Sequence, residues 1–304
     1  MRLKRHAWLL SAFLVSCATS QPSTDGARAT IAKQIALADE AYELGRFGTA
    51  ASRYRQALLY ARSQDDPKLI APLLHNLATS LEQSDLCEEA RTVFQEALDL
   101  YESIRHARGK LMSLLGRATC EHALALPGAQ TSLRQVLESA RQLDEKTVAS
   151  RAASGLAAIA LSSQSADKEE LVKEAVKLAD ESGSHAALGG AYFNQGRLFE
   201  RASQDTQAIA AFQRSAAAYR AIDDHAGLSS ALARQAHLSA SVEGASLETA
   251  HLFQRAAHAA ASARRFQEAL SAFQKAALYF DKAERPEQAK QCRERAETLK
   301  ASLR

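Results

Sequence analysis

The 304-residue sequence is poor in the residues that break helices or build sheets. It contains 13 glycines and 5 prolines, and no stretch alternates β-branched and polar residues as a half-buried strand would. Alanine, leucine, glutamate, glutamine, arginine and lysine, which all favour helices, are abundant instead. The composition therefore predicts an all-α protein.

Recognisable catalytic motifs are also missing from the sequence. There is no glycine-rich phosphate loop, no His-Glu-x-x-His and no Gly-x-Ser-x-Gly. His251 and His258 are seven residues apart, too far along a helix to bind one zinc ion by themselves, and Cys120 and His122 fall on different helix faces. We therefore expect no enzyme, no metal site, no cofactor and no small-molecule substrate.

The charge of the chain excludes a further class of partner. The 38 basic residues exceed the 35 acidic ones by three, and three basic residues (Arg2, Lys4 and Arg5) lie before Cys17, where no acidic residue does. From Cys17 onward the two signs balance. Because nucleic-acid binding requires clustered Lys and Arg, the sequence predicts no nucleic-acid partner.

The N-terminus has the pattern of a secretory signal. Basic residues precede a short apolar run from Ala7 to Val15, which is too short to span a bilayer and ends in Leu14-Val15-Ser16-Cys17. This pattern resembles the signal of bacterial lipoproteins. The resemblance implies cleavage after residue 16, acylation of Cys17 by chains such as palmitate, and, because Ala18 follows, a lipid anchor on the periplasmic face of the outer membrane. The alternative is an ordinary signal peptide.

An internal repeat dominates the remainder of the sequence. Ala50, Tyr54 and Ala57 have the same spacing as Ala90, Phe94 and Ala97, 40 residues later. The frame recurs more loosely at Ala129/Leu133/Val136, Lys168/Val172/Ala175, Ala208/Phe212/Ser215, Ala250/Gln254/Ala257 and Ala289/Arg293/Ala296. A fixed period near 40 residues predicts an α-solenoid of about seven helix-turn-helix repeats.

This frame resembles the tetratricopeptide (TPR) repeat, with a period longer than the usual 34 residues. The small first-helix residue of that family is matched by Ala38, Ala78, Gly116, Gly155, Gly196, Leu238 and Ala277. The sixth and seventh repeats lose the second-helix aromatic. We expect a signal peptide at 1–16, a flexible tether at 17–30, and a solenoid at 31–304 that ends in a capping helix; an irregular helical bundle is the alternative.

Local signals predict several helix starts. Asp66-Pro67 and Arg285-Pro286 place proline at the first helical position. Asp85-x-x-Glu88 and Asp167-x-x-Glu170 match capping boxes in which Asp replaces Ser or Thr.

The TPR resemblance implies a concave groove, lined by first helices, that binds a protein or peptide. The groove positions of the family correspond here to His75, Asn76, Thr79, Arg117, Asn194, Arg197, Arg201 and Arg234. Together these residues favour an acidic or carboxylate-bearing segment. We expect a non-enzymatic scaffold or adaptor that assembles an envelope complex. The alternatives are a pilotin or assembly factor for a pilus secretin or outer-membrane protein, a docking regulator of cell-wall enzymes, and an enzyme with an unrecognised site.

Three cysteines follow Cys17. In an antiparallel helical array, Cys87 at the start of one helix and Cys120 near the end of the next lie at the same edge, so a Cys87–Cys120 disulfide is possible. Cys292 is several repeats away. Burial as small packing residues is the alternative for all three.

Overall fold

The computed structural model describes residues 24–241 and 246–303, and all regular structure in this part is α-helical. The helices are α1 (Thr24–Glu43), α2 (Phe47–Arg62), α3 (Pro67–Glu82), α4 (Cys87–Ser103), α5 (Ala107–Ala123), α6 (Ala129–Gln142), α7 (Lys146–Ser163), α8 (Lys168–Ser182), α9 (His185–Arg201), α10 (Asp205–Ala221), α11 (His225–Ser239), α12 (Ser246–Ser262), α13 (Phe266–Lys282) and α14 (Pro286–Ser302). They form seven pairs, with odd-numbered first helices and even-numbered second helices.

The pairs stack in chain order to give one solenoid. Each helix contacts the next along the chain, and the first helices α3, α5, α7 and α9 also contact the first helix two elements away. First helices α3, α5 and α7 begin at Pro67, Ala107 and Lys146, which are spaced by 40 and 39 residues. The all-α solenoid of seven repeats with a period near 40 is therefore confirmed.

The junctions between helices share one backbone feature. Ten non-glycine residues and the glycines Gly45 and Gly183 have φ between 49° and 67°, one at almost every junction. At most of these junctions the chain turns back, and a backbone N–H donates to a carbonyl five residues earlier, as from His106 to Tyr101 at 2.9 Å. This bond satisfies a carbonyl that the helix end leaves free. The turns are therefore alike although their sequences differ.

The helix-start predictions are partly right. Asp66 caps α3, since its side chain accepts a hydrogen bond from the Lys68 backbone N–H at 3.0 Å, and Pro67 and Pro286 occupy first turns. The prediction of two capping boxes was wrong. Asp85 is the left-handed residue of its junction, with φ of 60°, and Asp167 precedes α8 without capping it.

The buried core follows the second-helix frame, with one change of register. Tyr54, Phe94 and Phe212 are at most 3% exposed. In the sixth repeat the buried aromatic is Phe253, at 2% exposure, and not the half-buried Gln254. The prediction that this repeat lacks its aromatic was wrong because the frame there is shifted by one residue.

The small residue of the first helix also differs from the prediction in three repeats. It is the twelfth residue of each first helix from α3 onward, and it is buried every time: Ala78, Ala118, Ala157, Gly196, Ala236 and Ala277. In repeats three, four and six the predicted residue lies two positions away from this one, at Gly116, Gly155 and Leu238. Gly116 serves a different contact, because a Cβ atom there would lie 2.2 Å from Cζ of Phe94.

The ends of the solenoid need a further correction. Helix α1 begins at Thr24, and Ala27 and Ile31 are at most 5% exposed. Residues from Thr24 onward are thus part of the folded array and not of a tether that extends to residue 30. Cys17 and the predicted signal peptide at 1–16 lie outside the described residues. Among the helices that are described, none has the length and apolar character needed to cross a membrane.

The Gly116 contact generates a stability prediction. In Gly116→Ala the new methyl group overlaps the ring of fully buried Phe94, so we expect a loss of about 1–3 kcal/mol in the free energy of unfolding. Gly48→Ala is the matched control, because no atom lies within 4 Å of a Cβ there, and it should change stability by less than about 0.5 kcal/mol or raise it. Urea denaturation measures both, and equal stabilities would contradict the packing described.

Candidate functional site

The first helices face one another across the inside of a curved array. Burial raises the pKa of Tyr42 in α1, and the pKa is also changed by Glu82 in α3, Arg151 in α7 and Asp224 at the start of α11. These residues come from repeats one, two, four and six. The first helices α3, α5, α7, α9 and α11 contact one another in order, and the surface that they share is here called the inner groove.

Most of the predicted groove residues occupy equivalent helix positions. Asn76, Asn194 and Arg234 are each the tenth residue of their first helix, and Thr79 and Arg197 are each the thirteenth. His75 is next to Asn76, and Arg201 ends α9. The solenoid therefore brings five of the eight residues to corresponding places on α3, α9 and α11.

Arg117 is the exception. It is the eleventh residue of α5, and the residues at this position in α3 and α7, Leu77 and Leu156, belong to the core. Its guanidinium is turned toward α4, where it donates to Gln95, and its Nε lies 3.3 Å from a carboxylate oxygen of Glu121. The prediction that Arg117 belongs to the row with Arg197 and Arg234 was wrong, because a helix turns about 100° per residue.

The N-terminal end of the groove is a small polar and aromatic pocket. Tyr42, Tyr54, His75, Asn76 and Thr79 line a cavity of about 230 Å³. Nδ1 of His75 lies 3.0 Å from Oγ of Ser113. Burial, and then the charge of Arg151, lowers the pKa of His75 to about 4, so the imidazole is neutral at physiological pH. It offers a hydrogen bond to a ligand and no positive charge.

Glu82, in the last turn of α3, is an unusual carboxylic acid on the inner side. Burial raises its pKa to about 7, although the positive charge of Arg151 acts in the opposite direction. The carboxyl group therefore exchanges its proton near physiological pH. Glu82 is not among the residues predicted from the sequence, because burial of a single Glu is not visible in the repeat pattern.

The C-terminal half of the groove is basic. Arg234 pairs with Glu200 through contacts of 3.3 and 3.4 Å to the two carboxylate oxygens. Arg201 donates to the Leu161 backbone carbonyl, and Nη2 of Arg197 lies 3.5 Å from Oγ of Ser162. Burial, followed by the charges of Arg201 and Arg234, lowers the pKa of Arg197. The three guanidiniums are thus close enough to repel one another.

Lys275 continues the line of basic groups onto α13, next to His237 of α11. Nζ of Lys275 lies 3.1 Å from Nε2 of His237, and burial, Lys275 and Arg234 together lower the pKa of His237. His237 is the thirteenth residue of α11, as Arg197 is of α9, and Lys275 is the tenth residue of α13, as Arg234 is of α11. Applying these two helix positions to the next first helix would have predicted both residues. We call Arg197, Arg201, Arg234 and Lys275 the basic row.

Asn194 has a structural task in addition to its place in the groove. Its side chain is 5% exposed, and Nδ2 donates to the Ser154 backbone carbonyl at 2.8 Å. This bond joins α9 to α7 across two repeats. Because buried amides need such partners, we expect Asn194 to hold the groove in shape more than to bind a ligand directly.

The three cysteines are free thiols in this structure. Cys120 is buried in the first hydrophobic cluster and Cys87 packs against it, and burial raises the pKa of both thiols. The sequence-based placement of the two at one edge agrees with this contact, and the covalent bond itself stays a prediction. Cys292 is buried in α14, 3.8 Å from Nε2 of Gln254.

The histidines that were considered as metal ligands have packing partners. The rings of His251 and His258 meet Phe280 and Phe273 of α13 edge-on, with centroids 5.1 and 5.0 Å apart. Across residues 24–241 and 246–303, no three His, Cys, Asp or Glu side chains converge as metal ligands would. The inner groove offers hydrogen bonds, ring surface and positive charge.

Solved structures contain the same architecture. A Rap protein crystallised in complex with competence and sporulation factor superposes with a TM-score of 0.64 at 19% identity, covering 90% of this chain and 76% of that one. A STAND protein with a tetratricopeptide repeat sensor from Pyrococcus horikoshii gives 0.58 at 14% identity, covering 92% of this chain and 43% of that one. The fold is TPR-like. No family model and no curated protein matches the sequence.

The raised pKa of Glu82 generates a pH prediction. The pKa of this carboxyl group is higher in the folded than in the unfolded protein, so its contribution to the free energy of unfolding is fully present at low pH. That contribution is lost as the pH rises from about 4.5 through about 7. Glu82→Gln cannot ionise, so its stability relative to the wild type should increase between pH 5 and pH 8, by about 1–3 kcal/mol.

Urea denaturation of both proteins at the two pH values checks this difference. Glu40→Gln is the control, since Glu40 is an exposed carboxylate on α1, and it should show little change with pH. A Glu82→Gln difference that is the same at pH 5 and pH 8 would mean that the carboxyl titrates normally.

Proposed function

We propose that this protein is a non-enzymatic scaffold that binds an acidic segment of a protein partner in its inner groove. The observation that carries the proposal is the basic row. Arg197, Arg201, Arg234 and Lys275 lie on three successive first helices, and within the described residues Glu200 is the one acidic side chain that pairs with them. Carboxylates of a partner would complete this charge pattern.

Electrostatics favours an anionic occupant over an apolar one. The lowered pKa of Arg197 reflects partial burial beside two other guanidiniums, and bound carboxylates would reduce that repulsion. Charge-assisted hydrogen bonds from Arg are strong and geometrically selective. They are strengthened where the surrounding protein excludes water. The groove thus favours a segment with several Asp or Glu residues.

The pocket at the other end of the groove would take a different part of the same segment. Tyr42, Tyr54 and neutral His75 provide ring surface and hydrogen bonds in a cavity of about 230 Å³. This volume suits one side chain. An extended segment would then lie with an uncharged side chain near α3 and its acidic residues near α9 to α13.

A structural relative supports binding as a use of this fold. The Rap protein with a TM-score of 0.64 was crystallised in complex with competence and sporulation factor. At 19% identity the likeness concerns the fold, and the partner of this chain follows from the charges of its own groove.

We further propose that the protein acts in the bacterial envelope. The Leu14-Val15-Ser16-Cys17 sequence supports an acylated Cys17, and Ala18 after it favours the periplasmic face of the outer membrane. A scaffold anchored there would assemble an envelope complex around the partner that its groove holds.

Charge reversal in the basic row tests the binding proposal. We expect Arg197→Glu/Arg234→Glu to capture far less partner from a membrane extract than the wild type, and wild-type capture to weaken as salt rises. The matched control is Arg55→Glu/Arg62→Glu, which makes the same charge change on α2, outside the groove. Equal capture by all three proteins, with unchanged melting temperatures, would count against the inner groove as the binding surface.

Replacement of the acylated residue tests the anchor separately. Cys17→Ala should yield an unprocessed or soluble periplasmic protein, because the anchoring acyl chains would be absent. Fractionation after a high-salt wash measures the outcome. If Cys17→Ala partitions wholly with membranes, the anchor lies elsewhere.

A further inference from the structure

The outer face of the solenoid carries a second charge pattern, formed by neighbouring second helices. The position of each residue can be counted from the large buried side chain of its helix. These reference residues are Tyr54 in α2, Phe94 in α4, Leu133 in α6, Val172 in α8, Phe212 in α10 and Phe253 in α12. At two of the five junctions between these helices, the residue eight places after one reference contacts the residue two places after the next.

Two junctions use this pair of positions for an ion pair. Arg62, eight residues after Tyr54, lies 2.6 Å from Glu96, two residues after Phe94. Arg141 and Glu174 hold the same positions in α6 and α8 and also form an ion pair. At these two junctions the frame therefore places a cation and an anion opposite each other.

The junction of α10 and α12 has two cations at these positions. Arg220 is eight residues after Phe212, and Arg255 is two residues after Phe253. Burial lowers the pKa of Arg255, and the charge of Arg220 lowers it further, so the two guanidiniums are near each other. Within residues 24–241 and 246–303, neither guanidinium has a hydrogen-bond or ion-pair partner.

The two arginines line a cleft of about 300 Å³. Leu232 and Gln235 of α11 contribute to its walls, and Gln235 is a polar side chain only 5% exposed. Glu248, also in the wall, is seven residues before Arg255 on α12, about two helical turns away. The walls of the cleft thus combine two guanidiniums with a nearly buried amide and one carboxylate.

We propose that this cleft binds an oxyanion, the carboxylate or phosphate group of a second ligand. Two guanidiniums offer ten N–H donors in planar forks that match such groups. An oxyanion between them would occupy the place that Glu96 and Glu174 fill at the other junctions. Because the cleft lies on the outer face, it would work independently of the inner groove.

Replacing one arginine of the cleft by an acidic residue tests oxyanion binding there. Arg255→Glu recreates the arrangement of Arg62 with Glu96, so its melting temperature in chloride buffer should exceed that of the wild type. The full-length protein in mild detergent is then titrated with sodium phosphate and, separately, sodium acetate at constant ionic strength. We expect the wild-type melting temperature to rise by a few degrees and saturate at millimolar anion, and Arg255→Glu to show no such rise.

Lys173→Glu is the matched control, because it makes the same change of charge at an exposed position on α8, and it should keep the wild-type response. A response to phosphate alone assigns the site to phosphate groups, and a response to acetate as well assigns it to carboxylates. The proposal is overturned if neither anion gives a saturable rise, or if Arg255→Glu responds as the wild type does.

Discussion

The two helices of each repeat approach so closely that only alanine or glycine fits between them. The twelfth residue of each first helix from α3 onward is buried, and a Cβ atom on Gly196 would lie 2.7 Å from the ring of Phe212. The close approach of the two helices fixes their relative orientation. At the junctions, residues with positive φ give the chain the same turn each time. Repeated seven times, one local constraint sets the curvature of the whole solenoid.

Curvature in turn places charges that are distant in sequence on one inner face. Tyr42 is influenced by Arg151 and Asp224, and Arg197 by Arg234, although none of these pairs lies within a single repeat. The array gathers positive charge in repeats five to seven and ring surface in repeats one and two. The order of the repeats therefore makes one end of the groove basic and the other aromatic. This arrangement favours a partner with acidic residues at one end.

Periodicity made the fold predictable from sequence, and the same periodicity limited the prediction of the site. The Ala-aromatic-Ala frame identified the repeat number and the period, because close helix packing restricts those positions to small and large apolar residues. Errors arose where a shift of one or two residues moved a side chain by 100° or 200° around its helix. Arg117 was assigned to the groove although it faces α4, and Phe253 was overlooked in favour of Gln254.

Other features depend on contacts between repeats, which the pattern of one repeat does not contain. The raised pKa of Glu82 requires the walls of the curved array, and the unpaired Arg220 and Arg255 become visible only when neighbouring second helices are compared. Asn194 was identified by its position, while its bond to the Ser154 carbonyl required the neighbouring helix α7. The repeats thus share one backbone architecture, and the side chains proposed to bind ligands occupy positions at which the repeats differ.

The central claim is that a partner lies along the inner face against the basic row. Site-specific photocrosslinking tests this most directly, with a photoreactive amino acid at His237 on the inner face or at Arg55 on the outer face, each in the full-length protein. The account predicts that position 237 crosslinks to an acidic segment of the partner in intact membranes and that position 55 does not. Crosslinks to the same partner from position 55 alone would contradict it.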